Sequence, residues 1–370
     1  MLSFAAKSGV FVGKSFGAMY LILGTCVAAG MLGLPVVTAA HHFSITLTMI
    51  ISAWVLMTVG AWCLLQVTLT MPAGANLVSM SQRTLGWPVK YLTWSIYLLL
   101  LYSLICAYLS ASGDLLEHLF HTMHVPMMRW LSTLIAVLIL GAIVTHGIRS
   151  VDWANRFLMS TKLIIAFLVI VSVAPFAHLR NLSMGNTHWN NNAWLVIICA
   201  FGYAIILPTI RDYLGNDKKR LTRVVMIGSC IPVVLYIIWI LVVQGALARQ
   251  ALIAMNNSAH TNSMLMSQLA NLTHHALIQS LSVIFIYICS VTGFLGVSTC
   301  LMDFLADGIQ KENSGKNKFL LAPIAFIPPT LIVIFDPAIF IRALAYAGAC
   351  CLYILIALPV AMYIKQRIRP

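Results

Sequence analysis

An all-α integral membrane protein is the fold class this sequence predicts, built as two inverted halves of five spans with discontinuous first and sixth helices. Three observations predict it. Of 370 residues, 61% are hydrophobic and 8% charged, with mean hydropathy +0.94; a water-soluble domain carries about 25% charged residues. The basic residues sort to alternate ends of successive apolar segments. Glycine and proline interrupt two of those segments, and the two lie five apart in the chain.

A span needs about 20 apolar residues. Ten segments qualify, in order Ser15–Ala40, Ser44–Thr70, Val89–Ser112, Trp130–His146, Leu158–His178, Ala193–Tyr213, Val224–Leu247, Ala276–Leu305, Phe319–Phe335 and Ala338–Ile364. With the N-terminus inside, 18 basic residues fall on the inner side and four, Arg129, Arg180, Arg249 and Arg342, on the outer side, which accounts for all 22 Lys and Arg. The wrong parity would scramble this sorting, so both termini are expected to be cytoplasmic. The same rule accounts for the net charge of +13 without a nucleic-acid partner; the expected surroundings are a lipid bilayer. Trp87, Trp130, Trp153, Trp189 and Trp194 fall near span ends, as an interfacial belt does.

No cleavable leader is expected, because Met1–Lys14 runs straight into the first span. The nine cysteines are scattered through apolar segments and read as small buried residues. His118, His121 and His124, in an expected outer loop, have no carboxylate or Cys arranged around them, so no metal site or cofactor is expected. The chain reads as one transmembrane domain, with 15–178 as the first repeat and 193–364 as the second.

The first segment contains Gly24-Thr25-Cys26-Val27-Ala28-Ala29-Gly30-Met31-Leu32-Gly33-Leu34-Pro35. Three glycines and a proline let backbone groups leave the helical ladder, which a bilayer tolerates only where they line a cavity or are buried in protein. The sixth segment has the matching interruption, Gly202 to Pro208. Because five is odd, the second half enters the membrane inverted. Paired broken helices are the sequence pointer to a secondary-transporter site.

Gly24–Pro35 resembles the G-T-x-I-G-A-G-M-L-A-L-P signature of the bacterial aromatic amino acid permeases, the tyrosine and tryptophan carriers of the hydroxy/aromatic amino acid family. Pro208–Val225, Cys300–Asp307, Ile327-Pro328-Pro329 and Leu344–Gly348 resemble later segments of that family in the same order. The resemblance implies the five-plus-five fold of the amino acid–polyamine–organocation superfamily. It also implies proton-driven import of tyrosine or tryptophan across a bacterial inner membrane. Three departures stand out. Ala28 replaces the signature's second glycine. Phe201-Gly202-Tyr203-Ala204-Ile205 lacks the family's histidine and second glycine. Ten spans stand where the family usually has eleven.

On this reading the N–H groups of Ala28, Ala29 and Gly30 hold a substrate carboxylate at a helix N-terminus. Carbonyls near Thr25–Cys26 and Phe201–Gly202 accept from its ammonium. Phe201, Tyr203, Ala204 and either Tyr102 or Ser103 build the side-chain pocket, where rings can stack. No carboxylate lies at mid-depth. Lys162 is the ionisable residue within a span, a functional candidate by default. It resembles the fifth-helix lysine that some proton-coupled relatives place where sodium-coupled ones bind sodium, with Ser298 and Thr299 as neighbouring hydroxyls. Lys14 and Asp303 are candidate partners of an inner gate.

A sodium-coupled or neutral-amino-acid carrier on the same fold is the alternative. A membrane enzyme would need a nucleophile–base pair, a carboxylate pair or a metal cluster at consistent depth. A channel would need a ring of charge or a filter. Neither is present in the sequence, and no protein partner is indicated.

Overall fold

An apolar chain in hydrocarbon must satisfy its own backbone, and a helix does so within one segment. The computed structural model is accordingly helical. Its one β contact among the described residues is an isolated parallel bridge between His41 and Asn186. The structure describes residues 2–72, 75–146, 148–273, 276–308 and 316–368. Side chains 2–13, 29, 146, 148–156, 273, 276–279 and 316–319 lie outside the description. Among the residues sorted by charge or placed in the belt, Lys7, Arg149, Arg156, Lys311, Lys316, Lys318, Arg369 and Trp153 fall outside it.

The first span is α1 (Leu2–Cys26) and α2 (Ala29–Val37), and α3 (Phe43–Thr70) is the second. A short amphipathic helix α4 (Leu77–Leu85) leads into α5 (Trp87–Thr122), followed by α6 (Arg129–His146) and α7 (Ile148–Val173). After the one-turn α8 (Leu179–Leu182), the expected sixth span consists of α9 (Asn191–Ala200), a 3₁₀ segment (Gly202–Ile206) and α10 (Leu207–Leu214). Then come α11 (Lys218–Ala246), the connecting helices α12 (Arg249–Met255) and α13 (Thr261–Thr273), and the long α14 (Ala276–Gly308). The chain ends with α15 (Lys316–Phe335), α16 (Phe340–Cys351), a π segment (Leu352–Ala357) and α17 (Leu358–Ile368).

Seven helices among the described residues are long and apolar enough to cross a membrane. An eighth candidate is the bent pair Lys14–Cys26 and Gly30–Val37, angled at 49°. Two shorter apolar helices, Arg129–Thr145 and Leu320–Phe335, stand where the fourth and ninth spans are expected.

Local chemistry sets the helix ends. The Asn76 and Asp217 side chains accept from Ser79 N–H at 2.8 Å and Arg220 N–H at 3.1 Å, starting α4 and α11. Gly86 and Gly215, with φ of 101° and 81°, stop α4 and α10 in conformations that disfavour other residues. Two sequence expectations are corrected here. The third span does not stop at Ser112, because α5 continues as helix to Thr122. His118 and His121 therefore sit on the last turns of α5 and not in a loop.

The core forms where α16 packs on α5 and α9, and α14 packs on α5 and α7. Close approach there requires glycine. A Cβ on Gly348 would run into the Leu195 backbone of α9, and one on Gly30 would press on Ala200. The two broken spans thereby meet at mid-molecule.

Candidate functional site

The two breaks share a turn. Ala28 N–H bonds to the Cys26 carbonyl at 2.9 Å, and Tyr203 N–H bonds to the Phe201 carbonyl at 2.8 Å. Each is a three-residue turn that ends one helix before the next begins. Four helix termini, the C-terminal ends of α1 and α9 and the N-terminal ends of α2 and α10, are brought to one place. C-terminal ends carry partial negative charge and N-terminal ends partial positive charge. These four termini offer dipoles of both signs and add no net charge of their own, which matches a zwitterion.

Between the breaks lies a cavity of about 300 Å³. Of the residues singled out in the sequence, Thr25, Cys26, Ala28, Gly30, Gly202 and Lys162 line it. The Gly30 N–H, in the first turn of α2, has no acceptor among the described residues. Ala29 opens α2, and its side chain lies outside the description. Gly202 faces open space, with no atom within 4 Å of where a Cβ would stand.

Several predicted roles move. The Ala28 N–H is turned back onto Cys26, so it is not free for a carboxylate. The Cys26 carbonyl is also taken: the Tyr236 hydroxyl of α11 stands 2.8 Å from it and 2.7 Å from the Ala200 carbonyl. That hydroxyl has one proton for two acceptors and binds the ends of α1 and α9 to a common point. Phe201 lies buried behind the cavity, its ring 4.9 Å from that of Tyr236. Tyr203 is buried on the far side, its hydroxyl 3.1 Å from Thr58 Oγ1 on α3. Ala204 and Ser103 are buried but do not line the cavity.

Tyr102 also points elsewhere. Its hydroxyl donates to the Ile324 carbonyl at 2.7 Å. That carbonyl is free because Pro328, four residues on, has no N–H to return. The ring of α5 that does line the cavity is Tyr108. Extending α5 to Thr122 moves its midpoint from near Leu101 to near Leu104, which carries mid-depth toward Tyr108. Gly293 on α14 makes room for that ring, since a Cβ there would collide with it.

Lys162 is 2% exposed and directed inward. Its Nζ donates to the Gly24 carbonyl at 3.0 Å, near the C-terminal end of α1, and approaches Thr292 Oγ1 at 3.4 Å. A cation suits that helix end. No carboxylate lies within ion-pair distance of it among the described residues. The neighbouring hydroxyl is therefore Thr292 and not Ser298 or Thr299. These two sit nearly two turns further along α14, about 10 Å away along the axis. Thr299 Oγ1 bonds within its own helix to Leu295, and Ser298 Oγ is buried without a partner. Lys14 and Asp303 are both exposed. No cluster of His, Cys, Asp or Glu able to hold a metal occurs among the described residues.

Tyr108, Tyr236 and Thr292 were missed by sequence reasoning. A buried tyrosine on a neighbouring span is the available signal, but only the positions of the orphan carbonyls single out Tyr236.

The same architecture recurs in a solved structure, the manganese transporter of Eremococcus coleocola in complex with an aromatic bis-isothiourea compound. It superposes with a TM-score of 0.61 at 13% identity, covering 93% of this chain and 76% of that one. That likeness shows a shared helical transporter fold. By sequence, the chain is 27% identical over 359 residues to tyrosine-specific transport system 2 of Haemophilus influenzae, covering 96% of this chain and 88% of the relative. It is 26% identical over 360 residues to glutamine transporter 2 of Aliivibrio fischeri, covering 96% and 89%. These relatives are carriers, not enzymes. The sequence profile of the tryptophan/tyrosine permease family matches residues 12–370. The chain with these two facing helix breaks belongs to the tryptophan/tyrosine permease family.

Proposed function

We propose that the chain imports tyrosine or tryptophan across a bacterial inner membrane by proton symport, with alternating access between the repeats 15–178 and 193–364 and both termini cytoplasmic. The observation that carries the reading is the cavity at the paired breaks. The N-terminal end of α2 presents the Gly30 N–H to a carboxylate, and helix C-terminal ends face an ammonium. The cavity walls are mainly aliphatic and thiol groups with one ring, Tyr108, suited to an aromatic side chain.

Lys162 is the coupling residue in this reading. Protonated, it holds the Gly24 carbonyl and ties α1 to α7. Deprotonated, it loses its positive charge at the end of α1, and α1 is released. Lys14 and Asp303 form the inner gate, and an Asp303→Asn variant then exposes the cytoplasmic vestibule to polar labels more than wild type does. Equal exposure would remove the gate from the account.

A second reading, a carrier of neutral amino acids including glutamine, is favoured by the relative of that name at similar identity and by the absence of the predicted ring stack. Sodium coupling belongs to this alternative. Uptake of labelled tyrosine into proteoliposomes, competed by tryptophan and glutamine under an imposed proton or sodium gradient, decides between them. The proposal expects tyrosine or tryptophan uptake driven by the proton gradient. Competition by glutamine alone, or drive by sodium alone, would overturn it.

A further inference from the structure

Pro35 sits inside α2. It has no N–H for the Met31 carbonyl four residues back, and its ring crowds that carbonyl outward. An unpaired carbonyl at this depth is unfavourable. In the structure the Met31 carbonyl accepts the indole N–H of Trp239 from α11 at 3.1 Å. Trp239 is fully buried, with its ring 5.7 Å from Phe285 on α14.

The contact belongs to a series along one face of α11. Tyr236 meets the Cys26 carbonyl at the end of α1. One turn on, Trp239 meets Met31. Further on, Gln244 donates to the Pro35 carbonyl at 3.0 Å and reaches Thr38 Oγ1 at 2.9 Å. Tyr236 and Trp239 thus replace rungs that the break and the proline remove from the first span, and Gln244 serves a carbonyl left open where α2 ends. Met31 directly follows Gly30, so the Trp239 bond acts on the same first turn of α2 whose Gly30 lines the cavity and whose Gly30 N–H has no acceptor among the described residues.

We propose that Trp239 is a positioning residue. By supplying the hydrogen bond that Pro35 cannot, it clamps the first turn of α2 to α11 and aims the Gly30 N–H into the cavity. Tyr102, on the Ile324 carbonyl freed by Pro328, is the same pairing away from the cavity. It is a matched control for stabilisation without positioning.

The substrate consequence rests on the transport reading, whereas the clamp itself does not. The test is a double-mutant cycle of Trp239→Phe and Pro35→Ala in the full chain, reconstituted in vesicles. It is read by amide hydrogen exchange in α2 and by the KM for tyrosine uptake. Alanine at 35 restores an N–H to Met31, so the indole donor becomes redundant. With Pro35 present, Trp239→Phe raises α2 exchange and KM about tenfold, the scale of one buried hydrogen bond. In the Pro35→Ala background the same substitution changes both by less than about twofold. Tyr102→Phe lowers thermal stability and leaves KM unchanged.

Equal effects of Trp239→Phe in both backgrounds would overturn the proposal. If phenylalanine prevents folding, benzothienylalanine at 239 removes the donor at nearly constant volume. If wild type takes up no amino acid, the transport reading fails, and the exchange arm of the cycle still decides the clamp.

Discussion

At the residue scale, the site depends on where each glycine and each donor stands. Gly293 and Gly296 are one turn apart on α14, and both line the cavity. A Cβ on Gly293 collides with the Tyr108 ring, while one on Gly296 meets nothing within 4 Å. Gly293→Ala is therefore expected to lower stability by about 1–3 kcal/mol through overpacking. Gly296→Ala should not lower the melting temperature and should weaken binding of tryptophan, the larger of the two proposed substrates, more than that of tyrosine. Thermal unfolding of the two purified variants, with binding measured on Gly296→Ala, checks the pair. The glycines of the first break and Lys162 were legible in sequence, because each is anomalous where it stands: backbone freedom or charge within an apolar run. The roles of Tyr236, Trp239 and Tyr102 were not. A tyrosine or tryptophan in a span is unremarkable until the carbonyl it serves is located, and two of those carbonyls, Met31 and Ile324, are freed by prolines in other helices.

At the element scale, the connecting helices carry more order than an apolar pattern reveals. The N-terminal end of α13 is capped from another helix. Asp114 of α5, 1% exposed, accepts from the N–H groups of Asn262 and Ser263, both at 2.9 Å, and from Ser263 Oγ at 2.6 Å. Negative charge is favoured at that end. Arg129 stands 3.7 Å from Asp114 and 3.6 Å from Glu117, and His260 Nδ1 lies 3.3 Å from Asp114. The hydrogen bond that Asp114 accepts from the His260 ring, helped by the charges of Asp114 and Glu117, raises the His260 pKa above its ordinary 6.5 against desolvation and Arg129. A raised pKa means that protonated His260 stabilises the docked α13 fully below the ordinary value, and that this contribution fades as pH rises through the raised one. Amide protection in α13, taken relative to the intrinsic exchange rate, should thus fall from pH 6.5 upward, and Asp114→Asn should lower it at all pH values and abolish the pH step. A pH-independent α13 in wild type would contradict the assignment. Sequence reasoning did not anticipate this helix, because 13 mixed residues between spans lack apolar periodicity and the capping carboxylate is nearly 150 positions away.

At the scale of the whole molecule, composition and the sorting of charge were sufficient for a multi-span helical protein, because the bilayer leaves the backbone few alternatives. The two breaks were legible from Gly24–Pro35 and Gly202–Pro208, and the cavity does lie between them. Its walls were less legible. A third span ending at Ser112 centres near Tyr102, whereas the longer α5 carries mid-depth toward Tyr108, which lines the cavity. Which way Phe201 and Tyr203 point depends on the 3₁₀ turn that follows Phe201, a geometry no periodicity encodes. Lys162 links the end of α1 to α7 and, through Thr292, to α14. The most direct test is tyrosine uptake by Lys162→Ala in proteoliposomes with and without an imposed proton gradient. If Lys162 couples the proton to transport, the variant still exchanges substrate at equilibrium but gains nothing from the gradient; uptake with the wild-type pH dependence would exclude that role.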